Sequence, residues 1–468
     1  MSSLRLCALL LSLSLWSPAA LAQSPDTPEA ASATEASPPA PDSEPQVLPP
    51  SAEPPQKIEL LTYPPISAEM FPEAPRHPEK HEPPIQHQFP LHNQPPTADG
   101  LRIEATGFIR WDGIYNTRQS VSVREGLLYF YPKPPELNEA GQDLNADPEI
   151  NMLSVFTRGA LKMNVPGVWG ARLFGLVEAD FFGHLNSTIS NLRLRHAYMD
   201  LRWETLQIRL GQYWSPFTHV DFFPGIMNPG VGQPVQPFSR NPGIFVTWQP
   251  IPDFQLEAAT HMQRDAFSEF GARNALQQQS GLPAAALNLS YLSEQLKFGA
   301  GAMGKAIRPA PAEENLYSGG LHLFASYLPL EDLRLRGRLV WGSNLADHQM
   351  LGGFVETEGH RFLNLATWTG WLDLEYRFTP QWRLGLFGGY AANLGTLETL
   401  AAEAEPLQAR NFVARDPNQA WSWYLVPRLI FDPTPNLRFA LEIHWTEALY
   451  ASAYTSNLAP DPQSADKS

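Results

Sequence analysis

Disulfide-forming cysteine is missing from almost the whole chain: the single cysteine is Cys7, so no disulfide framework can be built. Nor is there a long hydrophobic run. Beyond residue 22 no stretch reaches the roughly 18 apolar residues that a membrane-crossing helix needs. Positive charge is also in short supply, with 33 Lys and Arg against 48 Asp and Glu and a formal net charge of −15. That balance argues against general nucleic-acid binding, which requires a basic face. Sequence motifs of enzymes are absent too. No G-x-S-x-G elbow, no H-E-x-x-H and no phosphate-binding G-x-x-x-x-G-K-S/T occurs, and no cofactor or metal is expected.

What is present divides the chain in two after a short leader. Residues 1–22 read as an export signal: Arg5 supplies the charge, Leu9 to Trp16 the apolar stretch, and Ala20-Leu21-Ala22 a small-residue cleavage site before Gln23. Residues 23–98 hold 20 of the 46 prolines. Proline removes backbone donors and fixes φ, so this stretch is expected to be a disordered, periplasmic tail. His77, His81, His87 and His92 lie in it, and their irregular spacing fits solvated histidines better than a metal site.

From Leu101 the period of the chain becomes two. Leu101, Ile103, Ala105, Gly107, Ile109 and Trp111 alternate with Arg102, Glu104, Thr106, Phe108, Arg110 and Asp112. A strand sends successive side chains to opposite faces, so one face is apolar and the other largely charged. Leu333 to Trp341 repeats the pattern with Arg334, Arg336 and Arg338, and Leu437 to Trp445 repeats it with Arg438, Glu442 and His444. A slightly negative mean hydropathy, −0.26, is what such cancelling faces produce.

Fifteen strands can be counted, at about 101–116, 151–165, 170–182, 191–203, 206–213, 243–249, 254–262, 284–292, 296–304, 317–328, 333–342, 363–378, 382–392, 420–431 and 437–448. Short connections such as Glu204-Thr205 and Ser293 to Gln295 alternate with long polar ones such as 117–150, 214–242 and 393–419. A soluble sandwich has no reason to keep its short turns at one end; a transmembrane antiparallel β-barrel over residues 99–468 does.

Several patterns carry a family likeness: Gly107-Phe108-Ile109-Arg110-Trp111-Asp112, Leu194-Arg195-His196-Ala197-Tyr198, and Leu210-Gly211-Gln212-Tyr213-Trp214-Ser215-Pro216, followed by Phe238-Ser239-Arg240-Asn241-Pro242. Over residues 107–250 the chain resembles trimeric, sixteen-stranded outer-membrane porins of the DcaP-like group and, more distantly, phosphate-selective porins. The resemblance implies a homotrimer in bacterial outer-membrane lipid that passes small hydrophilic solutes, often anions. It also implies that the loop from Pro216 to Pro242, with Asp221 and Arg240, folds into the lumen.

Alternation places Arg110, Arg158, Lys162, Arg172, Arg209, Arg334, Arg336, Arg338, Arg383 and Arg438 on the lumen face, and Arg193 and Arg195 with them if a bulge intervenes near His196. Asp112, Glu178, Asp180, Asp373, Glu375 and Glu442 share that face. The charges could brace the wall in pairs or guide anions through a diffusion channel. Two other functions compete: a barrel with a structural or adhesive role, and a barrel enzyme using a set such as His184, His196 and Asp200. The expected strand count is odd. Strand fifteen would leave 449–468 as a last external loop, so either the natural chain continues or its edge strands pair in parallel.

Overall fold

Alternating sequence becomes alternating burial along every long strand. In Leu333–Ser343, Arg336, Arg338 and Val340 are buried while Leu335, Leu339 and Trp341 are 37%, 55% and 45% exposed. Such an inversion, polar inside and apolar outside, is the arrangement a barrel needs when its outer solvent is hydrocarbon. The computed structural model describes Ala8–Leu15 and residues 101–465, apart from 185, 265–273, 358–359 and 399–410. The proline-rich stretch and its four histidines lie outside the described residues.

Fifteen long strands from Arg102–Asn116 to Leu437–Tyr450 each pair antiparallel with the next long strand in sequence. All fifteen spans read from the periodicity are strands. The second begins later than expected. Its predicted first residues form a separate short strand, Glu149–Leu153, and the chain turns at Ser154 to Thr157 before Arg158–Val168. The break sends Phe156 inward, where its ring meets Phe108 and Phe182. Near His196 the register shifts between Glu178 and Ala179, which leaves Arg195 as the extra residue and lets Arg193, Arg195 and His196 all be buried.

Closure differs from both sequence-based alternatives. Ala8–Leu15 pairs antiparallel with Arg102–Asn116 on one side and with Leu437–Tyr450 on the other, so the sixteenth position is filled from the segment read as an export signal. An antiparallel strand there satisfies both edges at once, which a parallel pairing of the two outward-running strands would do less well. Residues after Tyr450 do not descend as a strand. They fold back through the bridges Ala451–Ala465 and Tyr454–Pro460 and bury Leu458 against Val355 and Leu365.

The loop 117–150 is not polar throughout, as the spacing of the strands led one to expect. It contains a hairpin, Ser120–Val123 with Leu128–Pro132, whose Leu127, Phe130 and Tyr131 are completely buried. An apolar run inside an external connection has to find a dry surface, and this one packs inside the barrel mouth. Aromatic residues gather at the short-turn rim, with Trp169, Trp248, Phe254, Tyr327 and Phe378 exposed there, as an interfacial girdle requires.

Candidate functional site

A stretch with little regular structure, 215–239, crosses the lumen. Nearly every residue in it is buried, although it is a loop. Buried backbone must find partners, and here the wall supplies them. Glu442 accepts from the amides of Met227 and Asn228 at 2.6 and 3.0 Å, and Asp373 from the amide of Gly225 at 3.0 Å. Arg110 donates to the Met227 carbonyl at 2.8 Å, Thr369 to that of Val235 at 2.9 Å, and Asn288 to that of Pro216 at 2.8 Å. Arg338 donates to the carbonyls of Phe217, Thr218 and His219 at 3.4, 2.6 and 3.2 Å. These contacts come from strands spread around the barrel, so the loop spans the lumen rather than lying along one wall. Gly225 is needed at its seat. A Cβ there would fall on the guanidinium groups of Arg428 and Arg336.

Two clusters of charge flank this loop. On one wall Asp373 accepts from Arg428 at 2.6 Å and Arg336 at 2.8 Å, while Glu375 lies 3.3 Å from Arg428 and 3.7 Å from Arg336. On the other, Arg193 and Arg195 hold Asp180 at 2.8 and 3.1 Å, and Arg195 and Arg158 share Glu178 at 2.6 and 3.6 Å. A contact at about 4 Å contributes ~1 kcal/mol in water but about 4 kcal/mol at an effective dielectric near 20. Side chains this buried are in the second regime, so the pairs fix the wall's shape as well as its charge.

A narrow cleft, with room for about one water molecule, opens beside the loop on the second wall. Arg193, Arg195 and Arg240 line it together with Phe156, Phe182 and Phe238. The guanidiniums and rings face one another: Arg193 stands 4.8 Å over Phe182, Arg195 5.8 Å over Phe156 and Arg240 5.5 Å over Phe238. Attraction between a cation and a ring face holds such a lining open in one geometry.

The predicted site residues scatter over these settings. Arg110, Arg158, Arg193, Arg195, Arg209, Arg240, Arg336 and Arg338 are buried inside the barrel. Arg240 begins the strand Arg240–Ile251 and is not part of the loop proper, and Asp221 lies exposed within it. Arg209 is committed to Asp200 at 2.6 Å. Arg383 and Arg438 both reach Asp432 near the short turns, and Arg172 is exposed at that same rim. Lys162 pairs with Glu104 at 3.5 Å, and Arg334 is half-buried.

The candidate enzyme set does not assemble. His196 packs on the rings of Tyr213 and Trp214, Asp200 is taken up by Arg202, Arg209 and Gln207, and His184 is exposed on a connection. Sequence reading missed Arg428, although the alternation of Tyr424, Val426, Arg428 and Ile430 marks it as inward. It missed Arg124 and Arg415 because they lie in the long connections between barrel strands, Arg415 at the end of the short strand Asn411–Arg415. Arg124 donates to the carbonyls of Phe182 and Gly183, and Arg415 stands 4.4 Å over Phe130.

A sixteen-position antiparallel barrel with apolar outside, charged inside and a loop folded across its lumen defines a porin-type β-barrel. No protein-family model matches the chain, and no curated protein matches it in sequence. In structure it is similar to the outer membrane channel DcaP of Acinetobacter baumannii, with a TM-score of 0.57 and 14% identity over 75% of this chain and 99% of that one. OmpT of Vibrio cholerae gives 0.46 and 9% over 80% and 94%. An anion-selective porin from Comamonas acidovorans gives 0.43 and 11% over 74% and 99%. At such identities the likeness to DcaP establishes the fold.

Proposed function

We propose that the chain is a diffusion channel of the bacterial outer membrane for small hydrophilic solutes, with a preference for anions. One observation carries this reading. Among the described residues the buried charged side chains are twelve arginines and Lys305 against eight carboxylates, whereas residues 101–468 together hold 29 Lys and Arg against 36 Asp and Glu, a formal charge of −7. Acidic surface and basic interior are thus separated, and the charge that a permeating ion meets is the interior one. The apolar outer face fits a lipid surround, and the resemblance to trimeric porins adds a homotrimer. Residues 23–98 as a periplasmic tail complete the proposal.

Planar lipid bilayers test it. Under a potassium chloride gradient the reversal potential should have the sign of chloride preference, and a cation-selective or non-conducting barrel would overturn the reading. Absence of conductance would favour the structural or adhesive role. Cross-linking in detergent, with a ladder ending at three subunits, tests the trimer.

A further inference from the structure

A second segment is folded into the mouth beside the 215–239 loop, and it is held differently. The hairpin Ser120–Val123 with Leu128–Pro132 reaches both the loop and the arginine cleft. Leu128 lines the cleft beside Arg193, Arg195 and Arg240. It also meets the loop at Gly230, where a Cβ would lie 3.6 Å from its Cδ2. Room for about one water molecule remains there. A hydrated solute cannot pass the arginines while Leu128 keeps that place.

Main-chain bonds join the two strands of the hairpin to each other, and side chains join the hairpin to the barrel. Arg124 donates to the carbonyls of Phe182 and Gly183 at 3.1 and 3.2 Å, the Tyr131 hydroxyl donates to Asp416, and Phe130 lies under the guanidinium of Arg415. Asn151 and Tyr450 donate to the carbonyls of Glu125 and Pro132. At the tip, Arg124 and Glu125 take φ of 56° and 54°, the left-handed region that side chains disfavour. Strain of this kind persists where docking imposes it and is relieved when docking ends. Gln419, paired in register with Tyr450, and Thr446 on the Tyr450 strand are buried with side-chain polar atoms that make no hydrogen bond. Water admitted to the mouth would satisfy them.

We propose that the hairpin 120–132 is a lid. Seated as it stands here, it closes the passage over the arginine wall. Lifted towards the external face, it uncovers Arg193, Arg195 and Arg240. The 215–239 loop, gripped through its main chain, stays in place while the lid moves. This inference rests on the channel reading and adds regulation to it.

A cleavable bridge between lid and wall tests it. Glu125→Cys and Asn151→Cys sit where the hairpin tip meets the strand Glu149–Leu153, and Cys7→Ser removes the native thiol. A short bifunctional reagent that forms a disulfide at each end joins the two new thiols. In planar bilayers the bridged full-length protein should lose its current, and dithiothreitol should restore it. One folded protein is thereby compared with itself, so misfolding cannot produce the result. Replacing residues 120–132 by a short Gly-Ser linker should give a steady current without closures. Equal current from the bridged and the reduced protein overturns the lid and leaves the channel reading standing. No current from the unmodified, the reduced and the hairpin-deleted protein alike overturns the channel reading, and the lid with it.

Discussion

Two sides of one lumen carry similar side chains and use them differently. On the side of Asp373 and Glu442, charged groups reach the backbone of the 215–239 loop: Gly225, Met227 and Asn228 all donate to these carboxylates. On the side of Glu178 and Asp180, the same residue types pair among themselves and leave three arginines lining a cleft. Composition does not distinguish the two sides. What distinguishes them is whether a loop has been laid against them. A charge beneath the loop acts as a bracket, and a charge beside the cleft faces solute.

The largest expected effect belongs to the bracket. Asp373→Ala leaves Arg336 and Arg428 with only the more distant Glu375, at 3.7 and 3.3 Å, and Gly225 without its acceptor. Removing one member of a buried ion pair typically costs about 3–5 kcal/mol. Denaturant unfolding in detergent should show a loss of that order; a change below about 1 kcal/mol would mean the cluster is well solvated and the contrast between the walls is false.

Next comes Arg338, whose three carbonyl partners all belong to the loop. Arg338→Met should cost about 1.5–3 kcal/mol, the range for hydrogen bonds to a charged group. Its single-channel current should become noisier as the loop loosens. A reversal potential moved far towards cations by this variant would class Arg338 with the cleft wall instead.

The smallest effect on stability, and the clearest on selectivity, is expected at Arg158. Glu178 keeps Arg195 at 2.6 Å when Arg158 is removed, so Arg158→Gln should cost only about 1 kcal/mol. The reversal potential should nonetheless shift towards cations. An unchanged potential would leave this wall as bracing too.

How much of this was legible beforehand follows from the physics of each level. Strand positions were, because a two-sided solvent writes itself as period two, and the run Arg334, Arg336, Arg338 could face only one way. Even the bulge at Arg195 announced itself, since Arg193, Arg195 and His196 cannot share a face on a regular strand. The partners were not legible. Nothing in the spacing says that Arg338 meets three carbonyls of a loop far away in sequence while Arg336 meets Asp373. Arg428 could have been found, but it sits beside Pro427 among Tyr424, Leu425 and Val426, and a mostly apolar strand drew no attention to its one charge.

The manner in which the inner loop is held has a bearing on how such a protein can change. The wall grips main-chain amides and carbonyls at Thr218, His219, Met227, Asn228 and Val235, groups that every residue at those positions except proline would present alike. Seating is thereby uncoupled from side-chain identity over much of the loop. Mutational drift, or an engineer, can exchange the residues that face the passage while the scaffold around them stays put. The filter is then interchangeable in a way that the barrel, whose every strand answers to lipid on one side, is not.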